Sequence, residues 1–375
     1  MSEGIAPESL PIALVDKVLA RALETASHSW EYGVVFEAWL EYQHPSITVF
    51  NASVSQHQKH LQNNTAPVPA LEYIKPHIRT KSTTLCSGHG SSADPASLGI
   101  PALLLHSLTH DESYLTAAQS QLTHLLTSVP RLPNGAISHR EASASAWADF
   151  VYMLPPFLAY YGVFMHDESL VREAVRQCHL YRDVLQTASG LWMHIVSVGE
   201  HVSGERAEDD EGLWSTSNGW AAAGMTRVLA TVRGAGIGER MREEQRALVE
   251  AIEGIVCGAM EVDKDGSGLL RNYLDDATWW GEVAGTALLT AIVFRMAVLE
   301  PCVFGETYTN WALRKIDAVS HHIDKETGVA APVVNALKER QRVPLKGTNP
   351  EGQAFVVLMY AAWRDWKVWT QPNLL

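Results

Sequence analysis

Apolar positions recur at three- and four-residue intervals along nearly the whole chain, and no long stretch alternates with a period of two, so the pattern is helical. In residues 10–25, Ile12, Leu14, Val15, Val18, Leu19 and Leu23 mark one broad apolar face. Similar faces predict helices over 30–42, 69–78, 95–108, 112–126, 169–187, 220–232, 238–262, 279–299, 306–323 and 351–366. The breaks between them carry Gly, Pro, Ser and Asp. Residues 49–67, rich in Asn, Gln and His, predict a long loop or a weakly formed helix. Hairpins recurring at roughly 50 to 60 residues, with no Pro-rich linker, predict a single all-α domain over residues 1–375 that closes as a toroid.

One stretch departs from the amphipathic rule. Residues 143–162, SASAWADFVYMLPPFLAYYG, hold Asp149 as their only charged side chain, among Trp147, Phe150, Tyr152, Met153 and Phe157. A carboxylate is costly to bury there, so its pKa is expected to rise, which suits a general acid. Capping of a helix start explains the same residue equally well. Pro155-Pro156 predicts a kink or a fresh helix within the stretch. Asp94, ahead of Pro95, likewise reads as a cap.

Composition narrows the partners. A formal charge of −13 argues against a nucleic-acid surface, which needs clustered Lys and Arg, and against an anionic membrane. The acidic N-terminal stretch lacks a basic n-region, and no apolar run reaches the roughly 18 residues of a membrane span, so a cytoplasmic protein is expected. Cys86, Cys178, Cys257 and Cys302 are too scattered for a zinc site and are expected as buried free thiols. Gly234, Gly236 and Gly238 follow no strand, and His106 and His110 lack a companion Glu motif, so neither cofactor nor metal is expected. Twelve Trp and eleven Tyr suggest a cleft that stacks flat ligands, a small molecule or an oligosaccharide. Oligomeric state is not encoded legibly.

Three segments then carry a resemblance. Trp147-Ala148-Asp149-Phe150-Val151-Tyr152-Met153, followed by Pro156-Phe157-Leu158-Ala159, resembles the W-x-D-x-x-Y-M and P-F-L-A motif of the unsaturated glucuronyl and rhamnogalacturonyl hydrolases, glycoside hydrolase families 88 and 105. Gly190-Leu191-Trp192-Met193-His194 is similar to their G-L-x-x-H, and Trp214 to Trp220 to their W-A-R-G-N-G-W. The resemblance implies an (α/α)6 barrel of six hairpins. It implies removal of a terminal 4,5-unsaturated uronic acid, with Asp149 protonating C4 of the enol ether and helping water add at C5. Asp94 would be the second catalytic aspartate, helping to hold the sugar, and His194 would face a sugar hydroxyl or the water. Trp147, Tyr152, Trp192, Trp214, Thr216, Asn218 and Trp220 would line the substrate site. Thr216 stands where the motif has an Arg suited to the uronate carboxylate. Either His139, Arg140 or Arg271 supplies a cation instead, or the substrate is not a uronate. The competing expectations are an acid/base isomerase, dehydratase or cyclase acting on a small apolar metabolite, and a non-catalytic sugar-binding protein.

Overall fold

The computed structural model describes residues 10–64, 66–198 and 209–371. Its helices are α1 (Ile12–Thr25), α2 (Ser29–Gln43), α3 (Val54–Gln62), α4 (Pro69–Ile74), α5 (Gly99–Thr109), α6 (Glu112–Thr127), α7 (Phe150–Met153), α8 (Pro155–Phe164), α9 (Glu168–Leu185), α10 (Ser215–Gly234), α11 (Arg242–Glu261), α12 (Val283–Leu299), α13 (Glu306–His321) and α14 (Pro350–Thr370). They form an (α/α)6 barrel. Helices α8, α10, α12 and α14 are buried around most of their circumference, whereas α1, α9, α11 and α13 bury one stripe, which separates an inner ring from an outer one. The inner ring runs α2, α5, α8, α10, α12, α14 and closes where α14 packs on α2. Each outer helix returns the chain, so the inner helices all run the same way and begin at one end of the barrel.

That end carries the short β structure which the helical pattern did not predict. Strand β1 (Ala144–Trp147) pairs antiparallel with β2 (Ile195–Val198), Trp147 opposite Ile195, and β3 (Leu270–Arg271) pairs with β4 (Gly281–Glu282). The stretch around Asp149 therefore enters as a strand, turns through α7 and starts afresh at Pro155, the first residue of α8. Residues 49–67 also differ from expectation. Val54–Gln62 is a regular helix because Ser53 and Gln56 form a reciprocal capping box, a local signal that outweighs the weak apolar pattern. Of the thiols, Cys86 and Cys178 are buried, but Cys257 and Cys302 are exposed. Among the described residues, no helix is long and apolar enough to cross a membrane.

Ring closure is polar as well as apolar. Arg227 of α10 reaches Glu37 of α2 at 3.0 Å and also pairs with Glu41, while Arg295 of α12 bridges Glu41 at 2.8 Å and Asp365 of α14 at 2.6 Å. These groups are nearly all buried, so losing one partner would strand a charge.

At the site end, α7 lies directly on α10. A Cβ built on Gly224 would fall 2.0 Å from the Val151 carbonyl oxygen and 2.7 Å from the Tyr152 nitrogen, so only glycine admits the backbone that follows Asp149. Gly224→Ala is expected to cost about 3 kcal/mol or more in urea unfolding. Gly266→Ala, which meets open space, should stay within about 0.5 kcal/mol of the wild type.

Candidate active site

Asp149 stands at the turn between β1 and α7, where the Ala148 amide donates to the His194 carbonyl at 2.9 Å. Its side chain makes no cap bond to the helix it precedes, so capping does not account for it. The carboxylate is 14% exposed, and Oδ2 lies 3.5 Å from His194 Nε2. On the far side of the ring, His194 Nδ1 donates to Asp210 Oδ2 at 3.0 Å. Asp210 also accepts the Tyr273 hydroxyl at 2.5 Å, the Gly212 amide at 3.1 Å and the Arg340 guanidinium at 3.2 Å.

The electrostatics follow from this line of groups. Burial works against a charged His194, but the bonds and charges of Asp149 and Asp210 overcome it and lift the imidazole to about 9. It is an imidazolium at neutral pH. Asp210 is buried too, yet its bonds to His194 and Tyr273 hold it down at about 2.

Asp94 lies in the 3-10 turn Asp94–Leu98 that leads into α5, and it makes no side-chain cap bond either. Its amide donates to Ser91 Oγ at 3.1 Å, and Oδ1 is 3.7 Å from His139 Nε2. Burial raises its carboxyl to about 7, with the Ser91 bond opposing and the charge of Asp149 adding to the rise. Burial likewise drives His139 down to about 3, so it is neutral, and it stacks on Trp147 with centroids 4.7 Å apart. A third carboxyl, Glu351 in the first turn of α14, accepts the Trp220 indole at 3.0 Å and the Trp30 indole at 3.3 Å. Burial, then the charges of Asp149 and Glu31, push it up to about 8.

The family model described as Glycosyl Hydrolase Family 88 matches residues 14–364. The chain belongs to glycosyl hydrolase family 88. It is 25% identical over 289 residues to the unsaturated rhamnogalacturonyl hydrolase YesR of Bacillus subtilis (strain 168), covering 72% of this chain and 76% of that one. Among solved structures, a possible GH105 member from Salmonella enterica superposes with a TM-score of 0.72 at 18% identity, over 97% of this chain and 96% of that one. An unsaturated glucuronyl hydrolase specific for heparin gives 0.63 at 12% identity, over 94% and 95% of the two chains. These likenesses show the barrel, and the family model shows a glycoside hydrolase.

Within this family 88 barrel, the residues expected from the sequence divide into two sets. Asp149, Asp94, His194, Trp147 and Trp214 cluster, with Trp147 5.6 Å and Trp214 4.7 Å from the His194 ring centroid. Tyr152, Trp192, Thr216, Asn218 and Trp220 lie buried behind them. Asn218 spends its amide on the Trp192 backbone and the Trp214 carbonyl, and the Thr216 hydroxyl donates inward to Glu282 Oε1 at 3.2 Å. Trp220 packs against Tyr152 at 4.4 Å.

Sequence reasoning missed Asp210, Tyr273, Arg340 and Glu351. Asp210 ends an acidic loop whose residues 199–208 lie outside the described residues, and only its place two residues before Gly212-Leu213-Trp214 marked it. His194, Asp210 and Glu339 bring ligand-type atoms within 4.8 Å of one another. Asp210 nevertheless already accepts four donors, which fills the roughly four lone-pair sites of a carboxylate. A metal would have to displace them.

Because its folded pKa is raised above the ordinary 6.5, His194 contributes stability that is complete below about pH 6.5 and is lost as pH climbs through about 9. Asp210, being lowered, contributes stability above its ordinary 3.8 that is lost as pH falls through about 2. Asp210→Asn should therefore bring the His194 titration midpoint, followed by NMR of the imidazole, clearly below its wild-type value.

Proposed function

We propose that this hydrolase removes a terminal 4,5-unsaturated uronic acid from oligosaccharides of the kind left by polysaccharide lyases, by hydrating the enol ether. The observation that carries the reading is the Asp149 carboxyl, partly exposed, with its buried Oδ2 free of any hydrogen bond and 3.5 Å from a cationic imidazole. An enol ether is activated by adding a proton to C4, which leaves an oxocarbenium-like C5 open to water. Asp149 is the proton donor. The same carboxylate then takes a proton from the water as oxygen bonds to C5, and the resulting hemiketal opens and releases the remaining sugar.

The surroundings suit both halves of that cycle. Burial, with the charge of Asp149 adding to it, raises Asp94 to about 7 and Glu351 to about 8, so these two neighbours hold protons near neutral pH. His194, pinned through Nδ1 to Asp210, keeps its Nε2–H directed at Asp149 and stabilises the carboxylate formed once the proton has left. The buried charged and polar groups beside the two tryptophans suit a sugar better than the apolar metabolite of the competing reading. The names of YesR and of the heparin-specific glucuronyl hydrolase support the same substrate class.

The enol ether absorbs in the near ultraviolet, so loss of that absorbance from a panel of unsaturated uronyl disaccharides is the direct assay. Wild type should bleach at least one of them. Asp149→Asn should slow this by on the order of 10²- to 10⁴-fold with little change in melting temperature. No bleaching by wild type across the panel would remove the uronyl reading.

A further inference from the structure

A uronate needs a counter-charge, and the position where the family resemblance places an arginine is Thr216, whose hydroxyl is turned inward onto Glu282. The other cations around the cleft are mostly engaged. Arg340 is held by Asp210 and by the Asp209 carbonyl. Arg271 lies 3.7 Å from Asp265 and bonds the Lys264 carbonyl at 3.4 Å. His194 is clamped between Asp149 and Asp210, and His139 is neutral.

Arg140 differs from all of these. Its guanidinium carbon sits 5.6 Å from the centroid of Trp147, the partly exposed ring two residues before Asp149. Among the described residues its side chain has no hydrogen bond and no ion pair. Glu141, its neighbour in sequence, bonds His124 at 2.9 Å instead. The backbone at Gly90 leaves room for the guanidinium. Gly90 has φ +88°, so a larger residue would be strained there, and its Cβ would fall 2.7 Å from Arg140 Nη2 and push the guanidinium from its place. Residue 140 is also fixed along the chain, since it forms a β-bridge with Ser91 and its amide donates to Ser138 Oγ at 3.0 Å.

A guanidinium resting on an indole face keeps its N–H edges free, and two parallel N–H groups match the two oxygens of a carboxylate. We infer that Arg140 is the specificity-determining residue that binds the substrate's carboxylate, held over Trp147 and replacing the cation that Thr216 cannot supply. The inference rests on the uronyl reading above and adds to it the residue that selects the acid. Trp147 lies two residues before Asp149 in the chain, so a carboxylate bound at Arg140 is held beside the segment that carries the acid.

The test compares an unsaturated uronide with its methyl ester, which keeps the enol ether and loses the charge. Wild type should prefer the acid in kcat/KM by on the order of ten-fold or more. Arg140→Gln should raise KM for the acid by about 10- to 100-fold while leaving the ester nearly unaffected, and Arg140→Lys should recover part of the loss. Equal effects of Arg140→Gln on acid and ester, or none on either, would overturn the assignment while leaving the uronyl activity standing. The wild-type ratio needs no variant to fold, and its absence also counts against Arg140. Wild type inactive on both acid and ester would instead defeat the uronyl reading, and the inference with it.

Discussion

Six inner helices that begin at one end of the barrel bring their N-termini together, and carboxylates stand at five of those starts. Glu31 is in the first turn of α2, Asp94 heads the turn into α5, Asp149 precedes α7 and α8, Glu282 caps α12, and Glu351 is in the first turn of α14. Helix dipoles favour anions there by about 0.3–1 kcal/mol each. Burial works the other way and wins at three of the five, since Asp94 rises to about 7, Glu351 to about 8, and Glu282 is also pushed above the usual carboxylate range. The barrel thus concentrates acids at one end and holds protons more tightly on the deeply buried ones, Asp94, Glu282 and Glu351. Proton transfer to a carbon needs such a place.

One imidazole sets the balance within that cluster. His194 faces Asp149 with Nε2 because Asp210 holds Nδ1, and Asp210 is fixed in turn by Tyr273, Gly212 and Arg340. The short β1–β2 ladder and the bridge from Ile195 to Asp210 bring the three side chains into line. Fold and chemistry therefore meet in a few backbone pairings. The close approach of α7 to Gly224 keeps the turn carrying Asp149 in the same register.

Much of this was legible in the sequence. Helical period, hairpin spacing and three short motifs were enough to expect the barrel, and Asp149 stood out as a lone charge in an apolar run. Short strands were hidden because two to four residues give no measurable alternation. The Val54–Gln62 helix was hidden because a capping box, not an apolar face, starts it. Asp210, Arg340 and Glu351 escaped for a different reason. Each is an ordinary polar residue in an ordinary polar or helical setting, and only the folding of distant segments onto one end of the barrel gives it partners. Thr216 and Asn218 show the reverse: both sit in a recognisable motif, and the structure uses their polar atoms to hold α10 in place.

The proposed chemistry depends on Asp149 delivering a proton to C4 of an unsaturated uronide. Turnover of such a disaccharide in D2O, with the released sugar examined by NMR at early times, tests it most directly. Wild type should place one deuterium at C4 of the freed uronic acid at the rate of turnover, and Asp149→Asn should do so orders of magnitude more slowly. Product without deuterium at C4, or Asp149→Asn working at the wild-type rate, would contradict it.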